Sequence, residues 1–210
     1  MVIFMAVGIT PKEFEAMKQR LAQGKSSRRQ PEAVSSPKAV ASSAARIVLG
    51  IDPSLRSTGY GVLRAERSNL ALVTFGVIHC PATWEGSRCL VNIARVLGQV
   101  IQEHRPSVCA IEGLFYAQNL QTALIMGQAR GAALLAAADA GLPICEIAPR
   151  KMKQALVGYG AAQKFAVGKM VQRLLGLSEV PPEDAADALG LALAYAHETR
   201  RYSMTNLRPV

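Results

Sequence analysis

The chain is predicted to fold as an α/β protein, a mixed five-stranded sheet with helices on both faces. Three observations predict this. The apolar segments run in the order of three strands, a helix, a strand, a helix, a strand and then helices. The first three strands are joined closely enough to be antiparallel hairpins, whereas the later strands alternate with helical segments that allow parallel crossovers. Two of the strands end in an acid, Asp52 and Glu112. A meander followed by βα crossovers gives a mixed sheet whose faces the helices cover.

The first strand is Ile47-Val48-Leu49-Gly50-Ile51-Asp52, an unbroken apolar run closing on a carboxylate and the turn former Pro53. Gly59 to Leu63 and Leu70 to Cys80 supply the next two strands. From 86 to 104, Leu90, Ile93, Leu97, Val100 and Ile101 recur at helical spacing, and Pro106 ends that helix. Val108 to Glu112 is a fourth strand. An Ala/Leu-rich helix over 120–140 stops at Gly141-Leu142-Pro143, and Ile144 to Ile147 is a short fifth strand. Helices follow over 150–157 and 162–175, separated by Gly158-Tyr159-Gly160. A last helix opens at Pro182 and runs to about Arg201.

This body, residues 46–202, is flanked by an N-terminal extension over 1–45 and a flexible tail over 203–210. Within the extension, 11–22 can form a short helix. Residues 24–46 are Ser, Ala, Pro and basic residues with few large apolar side chains. Such a tract cannot bury enough surface to offset chain ordering and reads as a disordered linker.

Half of the 210 residues are hydrophobic and the formal net charge is +9. Residues 1–46 hold eight Lys/Arg and three Glu, so over half of that excess belongs to the extension. A polyanionic partner suits the balance, although the body itself is only mildly basic. The extension is expected either to add non-specific phosphate contacts or to be no more than an accessory extension or an overlong start. No apolar run reaches the roughly 18 residues of a membrane span, and the apolar opening lacks the cationic start of a signal peptide. A cytoplasmic location follows as an expectation. Cys80, Cys89, Cys109 and Cys145 have neither metal-ligand nor redox spacing and read as reduced, near-core residues.

The chemistry rests on carboxylates. The C-terminal ends of adjacent parallel strands open on one edge of an α/β sheet, where such folds place their sites. Asp184 and Asp187 stand at i and i+3 in the first turn of the last helix, on one face. Singly, each acid has a duller role as turn opener, solvated strand end or complement to the helix dipole. Jointly they imply four converging carboxylates if that turn packs against the strand ends. Acids so close repel one another, and hard divalent cations relieve the repulsion while leaving room for phosphate. Two such ions roughly 4 Å apart suit in-line phosphodiester displacement.

The wording of five segments narrows the reading. Gly50-Ile51-Asp52-Pro53-Ser54-Leu55-Arg56-Ser57-Thr58-Gly59-Tyr60-Gly61 resembles the opening strand–turn–strand of RuvC junction resolvases. Ala110-Ile111-Glu112-Gly113-Leu114-Phe115 with Asn119 resembles their second acidic segment, and Leu124 to Gly131 the helix that follows. Lys153-Gln154, Gly158-Tyr159-Gly160 and Ala162-Gln163-Lys164 are similar to their basic stretch, and Asp184 to Leu189 to their closing acidic helix. These segments occur in family order over roughly residues 46–198. The resemblance implies a ribonuclease-H-like fold, a homodimer, two Mg²⁺ per subunit with Mn²⁺ as substitute, and paired symmetric nicks across a four-way DNA junction in recombination and repair. It also implies a branch-migration complex as partner. Carried over position by position, Asp52, Glu112, Asp184 and Asp187 match the catalytic, metal-holding acids. Phe115 matches an aromatic stacking near the crossover, and Lys153 and Lys164 match basic residues near the DNA. Arg150, Lys151, Lys153 and Lys164 form the densest basic cluster of the body, as phosphate contacts need. Ser54 and Gly113 depart from the usual Gly and Gln, which bears on loop geometry and sequence preference.

The rivals are weaker. An actin-like kinase needs a second phosphate loop and a second lobe, for which the body has no room. A silent junction-binding protein has no need of intact acids. A ribonuclease-H-like enzyme acting on another nucleic acid remains the alternative.

Overall fold

In the computed structural model the described residues are 45–66, 69–113, 119–201 and 208–209. Phe115, the helix expected over 11–22 and the linker after it lie outside them.

The strands are β1 (Arg46–Asp52), β2 (Ser57–Ala65), β3 (Leu70–His79), β4 (Val108–Glu112), β5 (Ile144–Ile147) and β6 (Arg208–Pro209). They lie in the order β3-β2-β1-β4-β5-β6. The β1–β2 and β2–β3 pairs are antiparallel, and β1–β4 and β4–β5 are parallel. The meander-then-crossover reading of a mixed five-stranded sheet therefore holds, and a two-residue strand, β6, is added at its β5 edge. Residues 203–210 were expected to form a flexible tail, yet Arg208–Pro209 pair antiparallel with Cys145 and Glu146. An open β5 edge offers unpaired backbone groups, and a dipeptide in extended conformation satisfies some of them.

Five helices follow the expected places: α1 (Gly86–His104), α2 (Leu120–Asp139), α3 (Pro149–Val157), α4 (Lys164–Leu175) and α5 (Glu183–Arg201). In α1 the buried face holds Cys89 together with Ile93, Leu97, Val100 and Ile101, while Leu90 is only half-buried. The helix ends at Arg105 in the left-handed region (φ 46), because Pro106 disfavours a helical residue before it. Asn119 caps α2, its side chain accepting the Gln121 N–H at 2.9 Å. Helix α3 starts on Pro149 and stops at Gly158 (φ 83), where a left-handed turn favours glycine. Helix α4 begins two residues later than expected, since Ala162 is still in the turn, donating its N–H to the Tyr159 carbonyl at 3.1 Å.

Alternation along the strands splits the core in two. On one face Leu49, Ile51, Val62, Cys109 and Ile111 meet Ile93 and Leu97 of α1 and the alanines of α2. On the other, Val48, Leu63, Val108, Ala110 and Ile147 meet Met152, Val167, Leu189 and Leu193 of α3 to α5. Helices thus cover both faces of the sheet. At about 25 cal/mol per Å² of apolar surface, these two layers supply the main drive for folding.

Helix α5 sits closer to the sheet than a side-chain layer allows. Gly50 and Gly61 pair across β1 and β2, and Gly59 pairs with Asp52. A Cβ on Gly50 would overlap the Ala188 carbonyl, and one on Gly59 the Asp184 carbonyl. On Gly61 it would stand 2.5 Å from Leu189 Cδ2. The three glycines make a flat track for the Ala-rich start of α5, which brings its first turn to the end of β1.

Candidate active site

Asp52 and Glu112 are the last residues of neighbouring parallel strands, each one step beyond the paired Ile51 and Ile111. The turn after Asp52 is pinned locally. Thr58, fully buried, donates its hydroxyl to the Ser54 carbonyl at 2.6 Å and accepts the Ser54 N–H at 3.2 Å. Ser54 has no positive φ, so a side chain there is accommodated where glycine was the usual expectation. The glycine track then delivers Asp184 and Asp187. Asp187 is only 8% exposed, and the Ser57 hydroxyl donates to Asp184 Oδ2.

The electrostatics record the convergence. Burial, then Glu112 with its charge and hydrogen bond, then Asp187 and Asp184, push the Asp52 carboxyl up to about 8. Burial also raises Asp187, with Lys164 and Lys153 opposing and Glu112 adding to the rise. Lys164 Nζ lies 3.6 Å from Asp187 Oδ2 and 3.4 Å from Glu183 Oε1. Burial works against its charge, but Asp187, Glu183 and Asp52 together hold its pKa above the usual lysine value.

The basic residues divide. Lys153 and Lys164 border the acids at Asp187. Lys151 instead pairs with Glu198 at 2.7 Å. Glu198 lies eleven residues beyond Asp187, about 16 Å up α5. Arg150 is exposed at the start of α3. The residues 150–164 are therefore not one cluster, because α3 and the start of α4 point their cations different ways.

Sequence reasoning missed Ser57, Thr58, Arg130 and Glu146. Arg130, only 6% exposed, donates to the Glu112 carbonyl at 2.5 Å and to Glu146 Oε2 at 2.7 Å. One signal was available: a lone arginine on a helix face otherwise made of alanine.

Among the described residues, no three His, Cys, Asp or Glu side chains form a ready-made cage around one point. The donor set nevertheless fits hard divalent cations. It is all carboxylate, and a carboxyl at about 8 is one whose ionisation a nearby cation would favour strongly.

A mixed sheet with acids on two adjacent strand ends and on a helix crossing them defines the ribonuclease-H-like class. The family model described as crossover junction endodeoxyribonuclease RuvC matches residues 48–197. A RuvC of that description from Syntrophomonas wolfei is 45% identical over 154 residues, 73% of this chain and 90% of that protein. One from Burkholderia cenocepacia is 47% identical over 150 residues, covering 71% and 83%. Thermus thermophilus RuvC in complex with Holliday junction substrate superposes with a TM-score of 0.72 at 34% identity, over 79% of this chain and 99% of that one. The yeast mitochondrial Holliday junction resolvase Ydc2 shares the fold, with a TM-score of 0.51 at 14% identity, over 71% of this chain and 78% of that one. The chain belongs to the RuvC family of crossover junction endodeoxyribonucleases.

Proposed function

We propose that this chain resolves four-way DNA junctions by metal-dependent hydrolysis, placing paired symmetric nicks during recombination and repair. The observation that carries the reading is the gathering of Glu112, Asp187 and Asp184 around Asp52 where two parallel strands end beneath α5. Asp52, Glu112, Asp184 and Asp187 are the residues that would hold two Mg²⁺, or Mn²⁺ in their place. When bound, the two ions supply the charge that favours the attacking and leaving oxygens of an in-line displacement.

The chain's own groups do the rest. Asp52 feels Glu112 most strongly and then the α5 pair, Asp187 and Asp184. Ser57 fixes the Asp184 carboxylate by hydrogen bond. Lys164 and Lys153 keep positive charge beside Asp187, suited to non-bridging phosphate oxygens. Arg150 and Lys151 are taken as more distant phosphate contacts, and Phe115 as a stacking ring at the crossover.

A homodimer suits a two-fold junction. Helix α2 offers a surface for it: Leu120, Leu124 and Leu135 are 75%, 60% and 65% exposed. With Gly127 and Gly131, which have open space beside them, they form one stripe opposite the buried alanines. A branch-migration complex as partner and a cytoplasmic location follow from the family reading. Among the described residues, no helix is long and apolar enough to cross a membrane.

The test incubates the protein and Mg²⁺ with a synthetic four-way junction, a linear duplex and an RNA/DNA hybrid. Symmetric nicks confined to the junction are expected. Equal cutting of the hybrid would move the reading to another nucleic acid, and binding without cleavage would make the chain a junction-binding protein.

A further inference from the structure

The buried face of α2 is alanine except for Arg130. A buried guanidinium is costly unless fully paired, and an apolar side chain of similar volume commonly serves stability as well or better. Stability alone therefore does not account for Arg130, so what it holds matters. One N–H donates to the Glu112 carbonyl at 2.5 Å, and the other to Glu146 Oε2 at 2.7 Å. The next N–H, that of Gly113, donates to the Ile147 carbonyl at 2.9 Å. The Glu112–Gly113 peptide is thus held at both its oxygen and its nitrogen, from α2 on one side and β5 on the other. Gly113 completes the arrangement. A Cβ there would stand 2.8 Å from Glu146 Oε1 and 3.1 Å from its Cγ, so a side chain at 113 obliges the flexible end of Glu146, the carboxylate that anchors Arg130, to shift by a few tenths of an ångström.

We infer that Arg130, Glu146 and Gly113 form a positioning device for Glu112. They fix the peptide plane from which its carboxylate projects towards Asp52, without touching the DNA or the reacting atoms. The same plane sets the direction in which the chain leaves β4. This inference rests on Glu112 being one of the metal-holding acids.

Arg130→Met keeps the volume and removes both hydrogen bonds. Arg130→Lys keeps the charge but not the planar fork. Gly113→Ala attacks the device from the other side. For Arg130→Met we expect a kcat for junction cleavage 10- to 100-fold lower and a Mg²⁺ requirement shifted several-fold upward. Junction Kd in chelator is expected within about threefold of wild type. Arg130→Lys should rescue little, Glu146→Gln should reproduce the defect, Gly113→Ala should give a smaller one in the same direction, and the double variant Arg130→Met with Gly113→Ala should add little to Arg130→Met alone. A readout apart from activity is the rise in Tm on adding Mn²⁺, which should need more cation in each variant. Unchanged kcat and cation midpoint in a folded Arg130→Met protein overturns the inference. So does a loss of cleavage matched by equal losses of thermal stability and junction binding, which marks a purely structural pair. If Arg130→Met does not fold, Gly113→Ala and Glu146→Gln decide by the same readouts. A wild-type protein that cuts no junction sinks the functional reading instead, and that outcome is separate.

Discussion

Replacing Asp52 with Asn tests the site most directly, because it separates the electrostatic strain of the acids from their use. An ordinary aspartate releases its proton near 3.8, whereas burial and the neighbouring Glu112, Asp187 and Asp184 hold Asp52 protonated up to about 8. Between those values the folded protein keeps a proton that the unfolded chain has lost. Stability in the absence of cations must therefore fall as pH rises through this window. At 1.36 kcal/mol per pH unit the full shift sets a ceiling of about 5–6 kcal/mol. Water penetration and relaxation among the acids reduce this to something on the order of 2–3 kcal/mol. Asn cannot ionise, so the variant escapes the loss. In chelator at pH 9 it should melt about 4–12 °C above wild type, taking 2–4 °C per kcal/mol for a domain of this size. At pH 4 the two should melt together. Millimolar Mg²⁺ should restore much of the wild-type Tm at pH 9 and do far less for Asp52→Asn, which should bind junctions yet not cut them. The assay is thermal denaturation over pH with chelator or Mg²⁺, alongside gel-based binding and cleavage. Parallel pH profiles for the two proteins, or cleavage by the variant, would refute the reasoning.

Three further outcomes are expected. Lys164→Met removes the cation 3.6 Å from Asp187. Cleavage should fall at least tenfold, and the slope of log binding constant against log salt should drop by about one unit if Lys164 meets a phosphate. Gly59→Ala places a methyl on the Asp184 carbonyl. A cost of about 1–3 kcal/mol in chemical denaturation, with reduced cleavage as Asp184 is pushed from Asp52, is the expected result. Leu124→Asp puts a charge in the exposed stripe of α2. Analytical ultracentrifugation should show a monomer with unchanged circular dichroism, and a dimer of wild-type affinity would remove that stripe from the interface.

Much of the architecture was legible in the residues alone. The apolar runs of β1 and β4, the helical spacing of Ile93, Leu97 and Ile101, and the breaks at Pro106, Gly141 and Gly158 are local signals. They depend on chain geometry over a few residues and need no partner. The placement of acids at strand ends and at the start of α5 was readable for the same reason, although only Asp184 lies in the first turn and Asp187 opens the second. Tertiary structure decided what those signals could not. The sixth strand forms because β5 has an open edge, a fact about its neighbours and not about Arg208 and Pro209. The basic residues of 150–164 look like one cluster in sequence, yet Lys151 turns to Glu198 while Lys164 turns to Asp187, since side-chain direction follows helix phase and packing. Above all, only packing explains Gly50, Gly59 and Gly61. Read along the chain they are weak strand formers. Read across the sheet they are the absence of side chains that lets α5 descend and bring Asp184 and Asp187 to Asp52. Residue type determined which groups were available, and close approach between segments distant along the chain determined which of them meet.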